Sequence, residues 1–150
     1  MDREFKKCIL HIQIPGLKTL SGEQDRMKTV YDRVLSVMET SRPYLGDYSL
    51  SSLSKDVYCN RSYLSRTINL MTGMTFCKFV NSYRIPYARQ LLEKNPRMRM
   101  KDVAAMSGFQ NIVTFNVSFK EVTGQTPSEY ADKLKAGLLQ SLSSWKGQEL

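Results

Sequence analysis

The sequence has one histidine, His11, and three cysteines, Cys8, Cys59 and Cys77, among 150 residues. A single histidine excludes most histidine-dependent hydrolases and most zinc sites. The three cysteines are odd in number and scattered, without a Cys-x-x-Cys pair, so they form no disulfide framework and predict a reducing compartment. No stretch approaches the ~18 consecutive apolar residues of a membrane-spanning helix. The N-terminus leads into a short apolar stretch without a small-residue cleavage site, so no secretion signal is expected. There is no Gly-rich phosphate loop, no Ser/His/Asp constellation and no ligand cluster. The expectation is therefore no enzyme: no catalytic residue, no metal site, no cofactor and no small-molecule site in this chain. Hydrophobic residues at 41% and charged residues at 24% fit a globular chain able to bury a core rather than a disordered one.

What is present is positive charge. Lysine plus arginine number 22 against 14 acids, a net charge of +8. Between Asn60 and Lys101 nine bases face a single acid, Glu93, a surplus equal to that of the whole chain. A concentrated positive field attracts polyanions, although basic composition alone also describes an ordinary solubilising surface.

Hydrophobic spacing reads almost entirely as helix. Met27, Val30, Tyr31, Val34 and Met38 form one apolar face, stopped by Arg42-Pro43. Leu50 and Leu53 open a short helix to about Val57. Asn60 caps a helix whose Leu64, Ile68 and Met71 share a face and which ends at Gly73. Thr75 starts a long helix with Phe76, Phe79, Val80, Tyr83 and Tyr87 in one stripe, closed by Asn95-Pro96. Pro86 lies inside it and is expected to kink it. A short helix covers about Lys101 to Met106. Asn111 caps the next, with Phe115, Phe119 and Val122 inward and Gly124 at its end. Thr126-Pro127-Ser128-Glu129 is a capping box that opens a last helix. From Gly137 the tail either prolongs that helix or frays. The one strand candidate, Cys8 to Ile14, reads as a strand or an extended linker.

The segments repeat. Thr72-Gly73-x-Thr75 recurs 51 residues later as Thr123-Gly124-x-Thr126. At the same offset Leu64-Ser65 matches Phe115-Asn116, Ile68 matches Phe119 and Phe79 matches Tyr130. Val103-Ala104 matches Leu53-Ser54 with one residue fewer between the copies, which places one extra residue in the second turn. Each copy is a short helix, a tight turn and a second helix ending at glycine, the helix-turn-helix pattern.

These residues, in order, resemble a known family. Leu53-Ser54, Asn60-Arg61-Ser62-Tyr63-Leu64-Ser65-Arg66, Gly73-Met74-Thr75-Phe76, Asn81-Ser82-Tyr83-Arg84-Ile85, Ala88 and Leu91-Leu92 are followed by Val103-Ala104, Ser107-Gly108-Phe109, Phe115, Phe119-Lys120, Gly124 and Thr126-Pro127-Ser128-Glu129-Tyr130. Together they resemble the DNA-binding domain of AraC/XylS-family bacterial transcription regulators over roughly Leu50 to Lys135. The resemblance implies an all-α fold of seven helices, in which two helix-turn-helix subdomains are joined by a long helix. It also implies sequence-specific binding of double-stranded DNA, control of transcription initiation, RNA polymerase as a partner and a cytoplasmic, nucleoid-associated setting. The organisation expected is an N-terminal linker or remnant over 1–24 and the DNA-binding domain over 25–136. Within it lie the first helix-turn-helix at about 50–73, the linker helix at about 75–93, the second helix-turn-helix at about 101–124 and a last helix from 127. A tail over 137–150 follows. Family members usually carry a sensing or dimerisation domain, for which the residues ahead of the first helix are too few. The chain is thus expected to be either a stand-alone regulator or one part of a larger protein, membrane-linked or not.

The reading faces follow from helical spacing. In the first unit Leu64 and Ile68 anchor, and Ser62, Ser65, Arg66 and Asn69 lie opposite. Arginine reads guanine bidentately and asparagine reads adenine. In the second, Phe115 and Phe119 anchor, and Val113, Asn116, Val117 and Lys120 lie opposite. The two valines either pack on another helix or touch thymine methyl groups. The resemblance implies base contact at Ser62, Ser65, Arg66, Ile112, Val113, Asn116 and Val117, with Ile112 also close to the Phe115 face. Arg61, Lys78, Arg84 and Lys120 are the candidates for phosphate contact. Two departures from the family stand out. Tyr58 occupies a turn position where the family often has glycine, so this turn is expected to be reshaped. Val117 stands where the family often has arginine. Two rival uses remain: a helix-turn-helix module recruited for protein–protein contact, and Cys59 as either a reactive thiol or a buried structural one.

Overall fold

The computed structural model describes residues 21–146. The strand candidate Cys8–Ile14, with His11, lies outside the described residues. Among the described residues seven α-helices follow one another: α1 (Ser21–Thr40), α2 (Leu50–Asp56), α3 (Arg61–Thr72), α4 (Phe76–Lys94), α5 (Met100–Met106), α6 (Ile112–Thr123) and α7 (Pro127–Lys146), with a short 3-10 turn at Pro43–Leu45. Among the described residues there is no strand. The all-α expectation holds. The segment after Gly137 prolongs the last helix, and α4 runs through Pro86 as one helix.

The chain divides into two compact units, with the boundary between Asn81 and Ser82 inside α4. In the first unit α1 buries Met27, Tyr31, Val34 and Met38, while Val30 is half-buried at the edge of that face. α1 and α2 both pack on α3, which contributes Leu64 and Ile68. Leu53 and Val57 complete the core with Phe79, whose ring lies 6.4 Å from that of Tyr31. Burial pushes the Tyr31 hydroxyl up to about 12, with neighbouring Asp32 adding to the shift. Met71, expected on the inward face of α3, is half-buried.

In the second unit Ile85, Ala88, Leu91 and Leu92 of α4 meet Val103 and Ala104 of α5, Phe109 of the turn that follows, Phe115 and Phe119 of α6, and Ala131 of α7. Phe109, Phe115, Phe119 and Tyr130 run edge to face, with successive centroids 5.3, 5.7 and 5.6 Å apart. Val122, expected inward, is instead half exposed. The buried stripe of α6 is Phe115, Ser118 and Phe119. It ends a turn before the helix does, so the next position on that face covers nothing.

The repeat is visible bond for bond. In the first turn Val57 N–H donates to the Leu53 carbonyl, Tyr58 N–H to Lys55 and Cys59 N–H to Ser54. Fifty residues on, Ser107 donates to Val103, Gly108 to Ala105 and Phe109 to Ala104. Asn60 then caps α3 by accepting from Tyr63 N–H, and Asn111 caps α6 by accepting from Val113 N–H. The extra residue of the second turn therefore falls at Gln110, between Phe109 and the cap. α3 and α6 end alike. Thr72 donates to the Ile68 carbonyl and accepts from Met74 N–H, and Thr123 does the same with Phe119 and Gln125.

The expectation that Tyr58 reshapes its turn is corrected. Tyr58 takes the left-handed backbone at φ 55°, where the second unit has Gly108 at φ 87°. Its side chain is 90% exposed. No packing resists the conformation, and the three backbone bonds hold the turn in its ordinary form at a strain of about 1–2 kcal/mol.

Candidate nucleic-acid interface

α3 is held from behind by Leu64 and Ile68, both fully buried, and this fixes which residues face out. Ser62, Ser65, Arg66 and Asn69 are all exposed. They line one surface depression together with Arg61, Leu50 and Thr75. Arg61, expected to reach a phosphate, thus stands beside the four base-reading candidates at the N-terminal end of the helix. Asn69 leans on the backbone, its amide donating weakly to the Met74 carbonyl at 3.5 Å. Ser62 and Ser65 are small enough to let a duplex approach closely.

Arg66 meets an acid. Its Nη1 lies 3.8 Å from Oε1 of Glu23 in the first turn of α1, with side chains 64% and 47% exposed. Exposed pairs of this kind contribute about 0–1 kcal/mol, so the contact can direct the side chain and still yield to a ligand. Sequence reasoning missed Glu23.

On α6 the face opposite Phe115 and Phe119 carries Val113 at 64% exposure, Val117 at 54%, and exposed Asn116 and Lys120. Both valines are more than half exposed and stand off the buried Phe115-Ser118-Phe119 stripe. Ile112 is half-buried against the second core and belongs to it. Thr114 is exposed beside Val113. The second face sets two β-branched valines beside Asn116 and Lys120, where the first carries two hydroxyls, an arginine and an asparagine.

The phosphate candidates differ in setting. Lys78 is exposed in the first turn of α4, where its N–H is capped by the Thr75 hydroxyl at 3.4 Å. Lys120 is exposed on α6. Arg84 is half-buried with its guanidinium 5.4 Å from the Phe109 ring centre, a cation–π contact that occupies its planar face. Cys59 is half-buried, with its Sγ donating to the Asn60 carbonyl at 3.5 Å. Burial pushes its thiol up, against smaller opposing effects of that hydrogen bond and of Arg33. The thiol stays protonated at neutral pH, which suits a structural residue rather than a nucleophile. Among the described residues no helix is long and apolar enough to cross a membrane, and no group of three or more His, Cys, Asp or Glu is placed to hold a metal ion.

Known proteins show the same arrangement. A family model described as a helix-turn-helix domain matches residues 53–133, spanning both units. An uncharacterised HTH-type transcriptional regulator of Staphylococcus aureus is 37% identical over 84 residues, which cover 56% of this chain and 11% of that protein. The HTH-type transcriptional activator RhaR of Salmonella schwarzengrund is 28% identical over 105 residues, covering 69% of this chain and 36% of RhaR. The chain thus spans about a third or less of these relatives. Among solved structures, the DNA-binding domain of AdpA, a global transcriptional factor crystallised with a target DNA, is similar with a TM-score of 0.61. Its identity is 21%, over 72% of this chain and 94% of that one. With the doubled repeat and the ordered residues that carry it, the match establishes that the chain belongs to the AraC-type helix-turn-helix family of DNA-binding domains.

Proposed function

We propose that this chain is the sequence-specific duplex-reading part of a transcription regulator, with α3 and α6 each entering a major groove. In this reading the two grooves are successive and lie on one side of the duplex, about 34 Å apart. One observation carries it. A helix capped by Asn60 and anchored by Leu64 and Ile68 presents Ser62, Ser65, Arg66 and Asn69 in one exposed row, and the same scaffold recurs 51 residues later with Val113, Asn116 and Val117. A buried back and a short exposed face are what a recognition helix requires.

The two rows divide the labour. Arg66 reads guanine through its paired donors, Asn69 and Asn116 read adenine, and Val113 and Val117 pack on thymine methyls. Arg61, Lys78 and Lys120 contact phosphates and set register and affinity. Arg84 contributes to the positive field from its seat on Phe109. RNA polymerase as a partner, a separate sensing or dimerisation domain, and a cytoplasmic, nucleoid-associated setting all belong to this proposal. They rest on the family and on relatives longer than this chain.

The test is selection from a random duplex library at physiological salt, with sequencing of the bound fraction. The expected result is two information-rich blocks one turn apart, with G·C pairs prominent in one and A·T pairs in the other. Affinity should fall with salt at a log–log slope of about −0.9 per phosphate neutralised. Binding without any enriched sequence overturns the reading and favours a module for protein contact.

A further inference from the structure

We infer that Glu23 of α1 is a specificity-determining residue of the first reading head, acting by directing Arg66. The inference rests on the proposed reading of duplex DNA by α3. Arg66 is largely exposed and projects from the helix face that also carries Ser62, Ser65 and Asn69. An arginine free in this position has many rotamers and two kinds of target. Phosphates accept its charge from any sequence, whereas guanine O6 and N7 accept its fork in one geometry. Discrimination depends on which target the side chain meets first.

Glu23 biases that choice. Its carboxylate stands 3.8 Å from Nη1 of Arg66. It is carried by a helix whose Met27, Tyr31 and Val34 are buried in the first core and which packs directly on α3. Glu23 lines one hollow with Tyr63 of α3, and Arg66 lines the neighbouring one with Arg61, Ser62, Ser65 and Asn69. The pair therefore sits on the border of the reading face. A contact through Nη1 leaves other donors of the guanidinium for a base edge. The negative charge beside it opposes capture of the same guanidinium by a phosphate. Both effects raise the preference for guanine over phosphate contact.

The experiment uses the full chain and the duplex enriched by selection, together with three duplexes that change only the base pair opposite Arg66. Affinities are measured for the parent, Glu23→Gln, Arg66→Ala and the double variant. Glu23 is half exposed, so unchanged helicity and melting temperature are expected for Glu23→Gln. The expected result is that Arg66→Ala abolishes discrimination at that pair, and that Glu23→Gln lowers it by about two- to fivefold. In the Arg66→Ala background the Glu23 change should have no effect on discrimination. If Arg66→Ala leaves discrimination intact, the reading of α3 fails and the inference with it. If Arg66→Ala abolishes discrimination while Glu23→Gln changes affinity equally on all four duplexes, the reading stands and the inference is overturned.

Discussion

The two helix-turn-helix units share one backbone and differ in almost everything it presents. Turn bonds, caps and helix-ending threonines correspond at offsets of 50 and 51 residues. The faces proposed to read DNA do not: α3 offers two serines, an arginine and an asparagine, while α6 offers two valines, an asparagine and a lysine. The scaffold is set by buried positions, where volume and hydrogen bonding are demanding. The outward positions carry no folding constraint and are free to take on different chemistry. Each unit can thus be broken at its core, at its reading face or at its turn, with effects of decreasing size.

The largest effect belongs to the anchors. Phe115→Ala removes a ring in contact with both Phe109 and Phe119 and should destabilise the second unit by about 3–5 kcal/mol. Leu64→Ala should cost the first unit about 2–5 kcal/mol. Hydrogen exchange resolved by segment should show each loss confined mainly to its own unit. Equal loss of protection in both units by either change would show that they do not unfold separately.

Next come the reading faces. Arg66→Ala should weaken binding to the selected duplex by about 1–3 kcal/mol and relax preference at one base pair. Val117→Ala should cost less, since it removes two methyl groups of contact, and should relax preference at a T·A pair. Val117→Arg sharpens the comparison. It should raise affinity on all duplexes and steepen the salt dependence by about one phosphate. Competition binding at two salt concentrations checks all three variants. An equal effect of Arg66→Ala and Val117→Ala on preference would erase the proposed division of labour.

The difference between faces and scaffold also explains what the sequence revealed. Asn60, Asn111, Gly73 and Gly124 were legible because caps obey rules of a few residues' span. Leu64, Ile68, Phe115 and Phe119 were legible because their spacing is helical. Val122 misled because periodicity says which residues share a face but not where the neighbouring element stops covering it. Arg84, a phosphate candidate, lies over Phe109, 25 positions away, and no local pattern announced that contact. Glu23 and Arg66 are 43 positions apart, and no local pattern joins them. Contacts of that span depend on how α1 lies on α3.

The turns give a smaller contrast of opposite sign. Tyr58→Gly removes left-handed strain without losing packing, since the side chain is 90% exposed. Against it stands the greater freedom of glycine in the unfolded chain. The net expectation is a gain of about 0.5–1 kcal/mol in the first unit. Gly108→Ala, at φ 87°, should destabilise the second by about 1 kcal/mol. Thermal melts of the two variants should therefore shift in opposite directions. A loss of stability in Tyr58→Gly would mean that the ring contributes something exposure does not show.

The smallest effect is an acid-side pH dependence that belongs to a capping box of the second unit. Thr126 and Glu129 form a reciprocal capping box: Thr126 N–H donates to Glu129 Oε2 at 2.7 Å, and Glu129 N–H donates to Thr126 Oγ1 at 3.3 Å. The Thr126 N–H holds the Glu129 carboxyl below its ordinary value, with the Thr126 hydroxyl and then Lys120 and Lys133 acting in the same direction. A carboxyl lowered in the folded state stabilises at pH values above its unfolded pKa, about 4.3. That contribution is lost as pH falls through the lowered folded value. Glu129→Ala should therefore lower the melting temperature at pH 7, and the gap from the parent should narrow as pH drops below about 4. In the first unit the matching position is Lys78, which supplies no carboxylate to the cap, so Lys78→Ala should show no such narrowing. A Glu129→Ala gap that stays constant down to pH 3 would mean that the charge of the box is irrelevant and that its neutral hydrogen bonds suffice.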